Sequence, residues 1–344
     1  MATDKRKSDC CYPSWLKGGE VDSRALKREA EICFRLIKSE VVSKQKEGLG
    51  NLHDLITLSW SLEDTRLARD AADLICDLTR TSNTLERMLS LAVSSDEKES
   101  KEDEDLRLKS LTAIEQIMVA ENRQYIANHH LFPSLVSFAS LSTSLERMRC
   151  GTGIYENLFK VSPPVSLQLI ESGGLQTVML CCRENDSSVI QHCAAALANC
   201  ALYGSPKVHR EMLSKSADHW LFPLAFSRDS AVKYYALIAI CLLAADQELL
   251  PLVKRSGTLE LVIPFLRLQD PLEFPKTCPN HAHGRTASWL ERVTPLLTCS
   301  SEEAQSLAAF HFAMEACIKQ KQNRLKVSYL IFYFSFFLCT LLSF

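Results

Sequence analysis

A chain of 344 residues is long enough for two ordinary domains or one extended repeat array. With 47% hydrophobic and 23% charged residues it has the composition of a folded chain with a sizeable core, and a net charge of −2 excludes the broad basic footprint of a nucleic-acid-binding domain. Eleven glycines argue against a Gly-rich phosphate loop or a Rossmann half, and the 14 cysteines are scattered without the spacing of a zinc site. They read as reduced core thiols of an intracellular protein, with disulfides the second choice.

Residues 1–29 are polar and charged at the start, without the apolar core of a secretory signal, and read as a flexible N-terminal segment. From residue 30 the apolar spacing is helical. Leu74, Leu78, Leu85, Leu89 and Leu91 fall mostly three or four apart, as do Leu108, Leu111, Ile114 and Met118. Ser95 to Asp105 interrupts the pattern with seven acids and two lysines in eleven residues, which reads as a solvated loop. Beyond it the chain repeats itself. Helical segments recur at 113–123, 153–163, 196–206 and 239–248, aligning Gln116, Glu156, Asn199 and Cys241 at separations of 40, 43 and 42 residues. A second apolar helix and a turn accompany each, with Gly173, Gly174 and Gly257 expected at sharp turns of positive φ. That period predicts an all-α armadillo/HEAT-type solenoid over 30–326, with polar residues of the third helices lining a groove.

Residues 327–344, VSYLIFYFSFFLCTLLSF, break with the repeats: 14 of 18 positions are apolar and none is charged. A helix of that length spans roughly 27 Å, enough for a bilayer core. Two readings stay open, a tail anchor with Lys319, Lys321, Arg324 and Lys326 on the cytosolic side, or translated intron. A membrane is expected as a partner only if the tail is genuine. His129, His130, His281 and His283 look like metal ligands, but no Cys or acid completes a set, so no metal is expected.

The segments EQIMVAENR, SGGLQTVMLCCREND, QHCAAALANCALYGS, WLFPLAFS, RSGTLELV and RVTPLL together resemble the N-terminal armadillo region of the sterile alpha and TIR motif-containing proteins, from about Leu52 to Lys326. The resemblance implies a regulatory module of an NAD+ hydrolase that acts in axon degeneration and innate immune signalling. In that family the armadillo region restrains a C-terminal TIR domain and binds NAD+ in a groove, where nicotinamide mononucleotide competes. It implies SAM and TIR domains as partners, a homo-oligomer of full-length chains, and a cytoplasmic location, associated with the outer mitochondrial surface or, through the tail, with a membrane. This chain stops before those domains, so no NAD+ cleavage of its own is expected; the nucleotide is an allosteric ligand rather than a cofactor.

By the same resemblance the nucleotide contacts fall on Trp60, Arg69, Glu115, Gln116, Arg123, Asn157, Lys160, Gly284 and Arg285, the last two in a lid loop over 266–288. The chemistry is compatible: guanidinium and ammonium groups take phosphates, and an indole face takes a ring. The spacing from Trp60 to Arg69 is about two residues longer than the family's. Asn157 stands where the family has histidine, Met118 where it has leucine, Asn280 where it has aspartate, and Thr286 where it has glycine. Taken singly, Trp60 reads as a core tryptophan and Arg69 and Arg123 as solvated charges. The alternative function is a peptide-binding armadillo adaptor, with Asn199 as its amide anchor.

Overall fold

A computed structural model describes residues 13–17, 19–62, 64–93, 101–140, 144–277 and 284–321. The hydrophobic tail at 327–344 and the histidines at 281 and 283 lie outside these described residues. The chain divides into two compact units, Met1–Tyr125 and Ile126–Phe344, where the sequence suggested one continuous array.

The first unit opens with two short antiparallel strands, β1 (Leu16–Lys17) and β2 (Glu20–Val21), turning at Gly19, whose φ is 79°. This corrects the expectation of a flexible segment over 1–29, at least from residue 13 onward. A pairing of two residues per strand has no stability of its own. Trp15 supplies it: its side chain is fully buried, and its carbonyl accepts the Asp22 N–H at 2.7 Å. Asp22 then caps α1 (Ser23–Ile37) by accepting from the backbone of Arg24 and Ala25. Helix α2 (Val42–Trp60) lies close against α1 because position 48 is glycine; a Cβ there would sit 2.7 Å from Leu36 Cβ. Helix α3 (Thr65–Thr81) is capped by Asp64 and followed by α4 (Thr84–Val93). Helix α5 (Lys101–Gln116) takes in half of the acidic run expected as loop: Glu102, Asp103 and Glu104 form its first turn, where the helix dipole favours carboxylates. Helix α6 (Ala120–Ala127) crosses into the second unit.

The second unit continues with α7 (Phe132–Ala139), α8 (Leu145–Leu158), α9 (Pro163–Glu171), α10 (Gly174–Cys181), α11 (Ser187–Leu202), α12 (Pro206–Ser214), α13 (Ala217–Ala225), α14 (Ser230–Ala244) and α15 (Leu250–Arg255). It ends with α16 (Val262–Arg267), α17 (Phe274–Thr277), α18 (Ala287–Val293) and α19 (Glu302–Lys321), with short 3-10 turns at Leu259–Leu261 and Thr294–Thr298. Among the described residues no strand follows Val21.

The repeat is written into the helix ends. Ser144, Asp186 and Asp229 cap α8, α11 and α14 with their side chains, at intervals of 42 and 43 residues. Each aspartate is also held from the equivalent helix of the preceding repeat, α8 for Asp186 and α11 for Asp229. Arg149 grips Asp186 with Nε at 3.1 Å and Nη2 at 2.5 Å, and the equivalent Gln191 donates to Asp229 at 2.6 Å. A left-handed residue turns the chain ahead of the second helix in three successive repeats of this unit: Gly173 (φ 84°) before α10, Ser216 (φ 61°) before α13 and Gly257 (φ 72°) before the turn into α16. Serine pays a steric cost there that glycine does not, which hides the middle turn from a glycine count. Gly174 has a different role from the one expected of it. It lacks a positive φ, and a Cβ on it would lie 2.6 Å from the Tyr155 ring.

Between α8 and α14 runs α11, whose residues Cys193 to Leu202 are all buried. At the far end Tyr234, Phe274 and Phe310 pack with ring centroids 5.2 and 5.8 Å apart. Phe274 belongs to α17, so the stretch read as a lid over 266–288 carries a helix anchored in the core. The described cysteines are free thiols, most of them in the core, and burial pushes Cys76 up to about 12, which keeps it an inert apolar filler.

Candidate functional site

Five of the expected ligand residues lie in the first unit. Trp60 ends α2 and is 45% exposed, so it presents an indole face to solvent and is not the core tryptophan of the plainer reading. Arg69 is exposed on α3. Glu115 and Gln116 close α5, both half-buried, and the Gln116 Oε1 is buried with no hydrogen-bond partner. An amide oxygen left in that state is costly, about 1–3 kcal/mol, and is an acceptor available to a ligand donor. Arg123 stands on α6, just past the end of α5 as expected; its Nη1 donates to the Met118 carbonyl at 2.9 Å.

The other four lie in the second unit, in two clusters. At the end of α8, Lys160 Nζ donates to Glu156 Oε1 at 3.1 Å and to Asn157 Oδ1 at 3.2 Å. The Asn157 Nδ2 turns back to the Gly153 carbonyl at 3.0 Å. Glu156 Oε2 meets His192 Nδ1 on α11 at 2.9 Å, and Asn199 Nδ2 donates to the Glu156 carbonyl at 3.0 Å. Burial alone would push the Glu156 carboxyl up; Lys160 and His192 reverse that and hold it down at about 2. Glu156 and His192 are absent from the expected site. The repeat alignment of Glu156 with Asn199 was a visible signal for the first, and nothing in the sequence pointed to the second.

Gly284 and Arg285 form the second cluster. Gly284 has φ 73°, and a Cβ on it would come within 2.9 Å of Glu315 Oε2. That same oxygen accepts the Arg285 N–H at 2.9 Å. The Arg285 guanidinium donates from Nη2 to Tyr235 OH at 2.7 Å and lies 5.2 Å from the Trp289 ring centroid and 5.7 Å from that of Tyr235.

Asn199 is buried, and its amide is spent on tying α11 to α8. It is therefore a cross-repeat tie and not the exposed anchor that a peptide adaptor needs. Among the described residues no three His, Cys, Asp or Glu side chains are placed to hold a metal, and no helix is long and apolar enough to cross a membrane.

No protein-family model matches the chain. Among curated proteins it is similar to NAD(+) hydrolase sarm1 of Drosophila melanogaster, 37% identical over 287 residues that make up 83% of this chain and 20% of that protein. It is also similar to NAD(+) hydrolase SARM1 of Danio rerio, 35% identical over 83% of this chain and 39% of that one, and to NAD(+) hydrolase tir-1 of Caenorhabditis elegans, 32% identical over 82% and 28%. Among solved structures, a designed armadillo repeat protein superposes with a TM-score of 0.56 at 16% identity, covering 83% of this chain and 99% of the other. A second one, solved in complex with peptide (KR)4, gives 0.55 at 15% identity, covering 83% and 98%. At that identity the likeness shows the armadillo fold alone.

The chain is homologous to part of these NAD+ hydrolases. It spans between a fifth and two fifths of the length of the curated relatives it matches. Within the hydrolase family's pattern, the departures have local explanations. Met118 is buried and fills its site as leucine would. Thr286 caps α18, its Oγ1 accepting the Trp289 N–H at 3.3 Å, which a glycine there could not do. Asn157 keeps a side-chain acceptor on Lys160. Asn280 lies outside the described residues.

Two depressed carboxyls make acid stability a test of these contacts. Asp186 is held at about 2, first by Arg149 and then by the Val189 N–H, and Glu156 also sits at about 2. Unfolded, both titrate near 4. Their contribution is therefore full above about pH 4 and is lost as pH falls through their folded values. Melting temperatures from pH 6 to pH 2.5 should fall less steeply below pH 4 in Glu156→Gln/Asp186→Asn than in the parent, and equal slopes would show that neither pairing matters.

Proposed function

We propose that this chain is the regulatory armadillo module of an NAD+ hydrolase, which binds NAD+ competitively with nicotinamide mononucleotide and restrains a TIR domain without cleaving the nucleotide itself. The observation that carries the reading is 37% identity to an NAD(+) hydrolase over 287 residues. The side chains support it. In the first unit Trp60 offers an exposed stacking face, Gln116 a buried acceptor without a partner, and Arg69 and Arg123 cationic groups of the kind phosphates take; the second unit carries such groups at Lys160 and Arg285. The SAM and TIR domains, an oligomer of full-length chains, and roles in axon degeneration and innate immunity belong to the same proposal.

NAD+ at about 100 times its dissociation constant is expected to stabilise the chain by about 2.7 kcal/mol, and to be recovered intact. Arg123→Ala should remove most of that gain. Because Arg123 also bonds the Met118 carbonyl, the quantity to compare is the ligand-induced shift in melting temperature, not the melting temperature itself. An unchanged shift in the variant places the ligand away from Arg123, and nicotinamide release by the purified parent would contradict the non-enzymatic role.

A further inference from the structure

A carboxylate is an expensive group to place in a helical core, and α19 places one at Glu315, which is 2% exposed. One of its oxygens, Oε1, has no hydrogen-bond partner and lies 3.8 Å from His311 Nε2. The other, Oε2, is committed to the Arg285 backbone N–H at 2.9 Å. Burial pushes the Glu315 carboxyl up, and the N–H and charge of Arg285, followed by Lys319, pull against it. The glycine at 284 is what lets this oxygen reach the backbone, since a Cβ there would stand 2.9 Å from it. From the opposite side, Tyr235 OH takes Nη2 of the guanidinium, and the rings of Trp289 and Tyr235 flank it. The backbone and the head of Arg285 are thus fixed by different helices, α19 for one and α14 with α18 for the other.

We infer that Glu315 and Tyr235 are positioning residues that set the Gly284–Arg285 pair for the nucleotide, Glu315 by holding the peptide N–H and Tyr235 by aiming the guanidinium. This rests on the proposal that Arg285 contacts the nucleotide. An arginine whose backbone and head are both fixed before binding loses less freedom when a phosphate arrives, which is where the affinity comes from. The buried carboxylate then has a purpose that core packing does not give it, because a buried charge carries a desolvation cost that an apolar core avoids, and here that charge is tied to the Arg285 N–H.

The test is NAD+ titration of the full chain and four variants, with each melting temperature measured without ligand. Glu315→Leu removes the acceptor and is expected to raise the NAD+ dissociation constant about tenfold or more. Its ligand-free melting temperature is expected to fall, because the Arg285 N–H loses its acceptor, so dissociation constants are compared well below each variant's own transition. Glu315→Gln keeps an acceptor oxygen for the Arg285 N–H and should stay within about threefold of the parent. Tyr235→Phe, which loses a single hydroxyl and folds even if the leucine variant does not, should weaken NAD+ several-fold. Arg285→Ala separates the two claims. If it binds NAD+ as the parent does, the ligand role of Arg285 falls, and this inference with it. If it weakens binding while Glu315→Leu and Tyr235→Phe do not, the positioning role is overturned and the nucleotide reading stands.

Discussion

Trp15→Ala is expected to destabilise the first unit by about 3–5 kcal/mol, the usual cost of emptying a buried aromatic site. Among the described residues ahead of α1 no other side chain is fully buried: the indole is completely enclosed, while the two strands beside it pair over only two residues each. Losing it frees β1 and β2, and with them the segment that leads into the Asp22 cap of α1. Denaturant unfolding of the full chain should show a transition midpoint at lower denaturant than in the parent. If the midpoint is unchanged, residues 13–22 are an ornament on the helices and the expectation of a flexible N-terminus was correct.

Tyr155→Ala is expected to cost a similar amount, about 3–5 kcal/mol, for a composite reason. The ring is fully buried and faces the bare α-carbon of Gly174, so α8 and α10 approach through it. Its hydroxyl donates to the Val136 carbonyl at 2.9 Å and bonds Ser140 Oγ at 3.0 Å, which joins α7 to the same point. Tyr155→Phe keeps the ring and loses only the hydroxyl, and should cost about 1–2 kcal/mol. Chemical denaturation of the two variants separates packing from hydrogen bonding. Equal losses would mean that the hydroxyl carries the whole effect.

The armadillo period was legible because burial imposes it. Third helices pack along most of their length, and their caps and turn residues recur with them. The sequence therefore shows Gly173 and Gly257 directly, and shows Glu156 aligned with Asn199, whose amide indeed reaches the Glu156 carbonyl. The misreadings have physical causes. Two-residue strands leave no alternation to detect, so residues 13–21 looked unstructured. The acids of 102–104 have the composition of a loop, yet carboxylates are also what a helix start favours. Ser216 adopts a glycine conformation without being glycine. His192 and Glu315 act on partners 36 and 30 residues away, across packed helices, and no local pattern marks such pairs.

For the candidate site, the resemblance supplied residue types that the structure then sorted. Trp60 is accessible where a core role was the plainer expectation, whereas Asn199 is enclosed where a binding role was the alternative. Arg285 is not a loose surface charge but a guanidinium oriented by Tyr235 and Trp289. Lys160 is not a bare cation: it carries its own counter-ion, Glu156, 3.1 Å away.

The most direct measurement is equilibrium titration of the full chain with NAD+, alone and with nicotinamide mononucleotide present. The account predicts saturable binding that the mononucleotide displaces competitively, with no loss of NAD+ over the course of the titration. Absence of binding, or binding that the mononucleotide leaves unchanged, would contradict it.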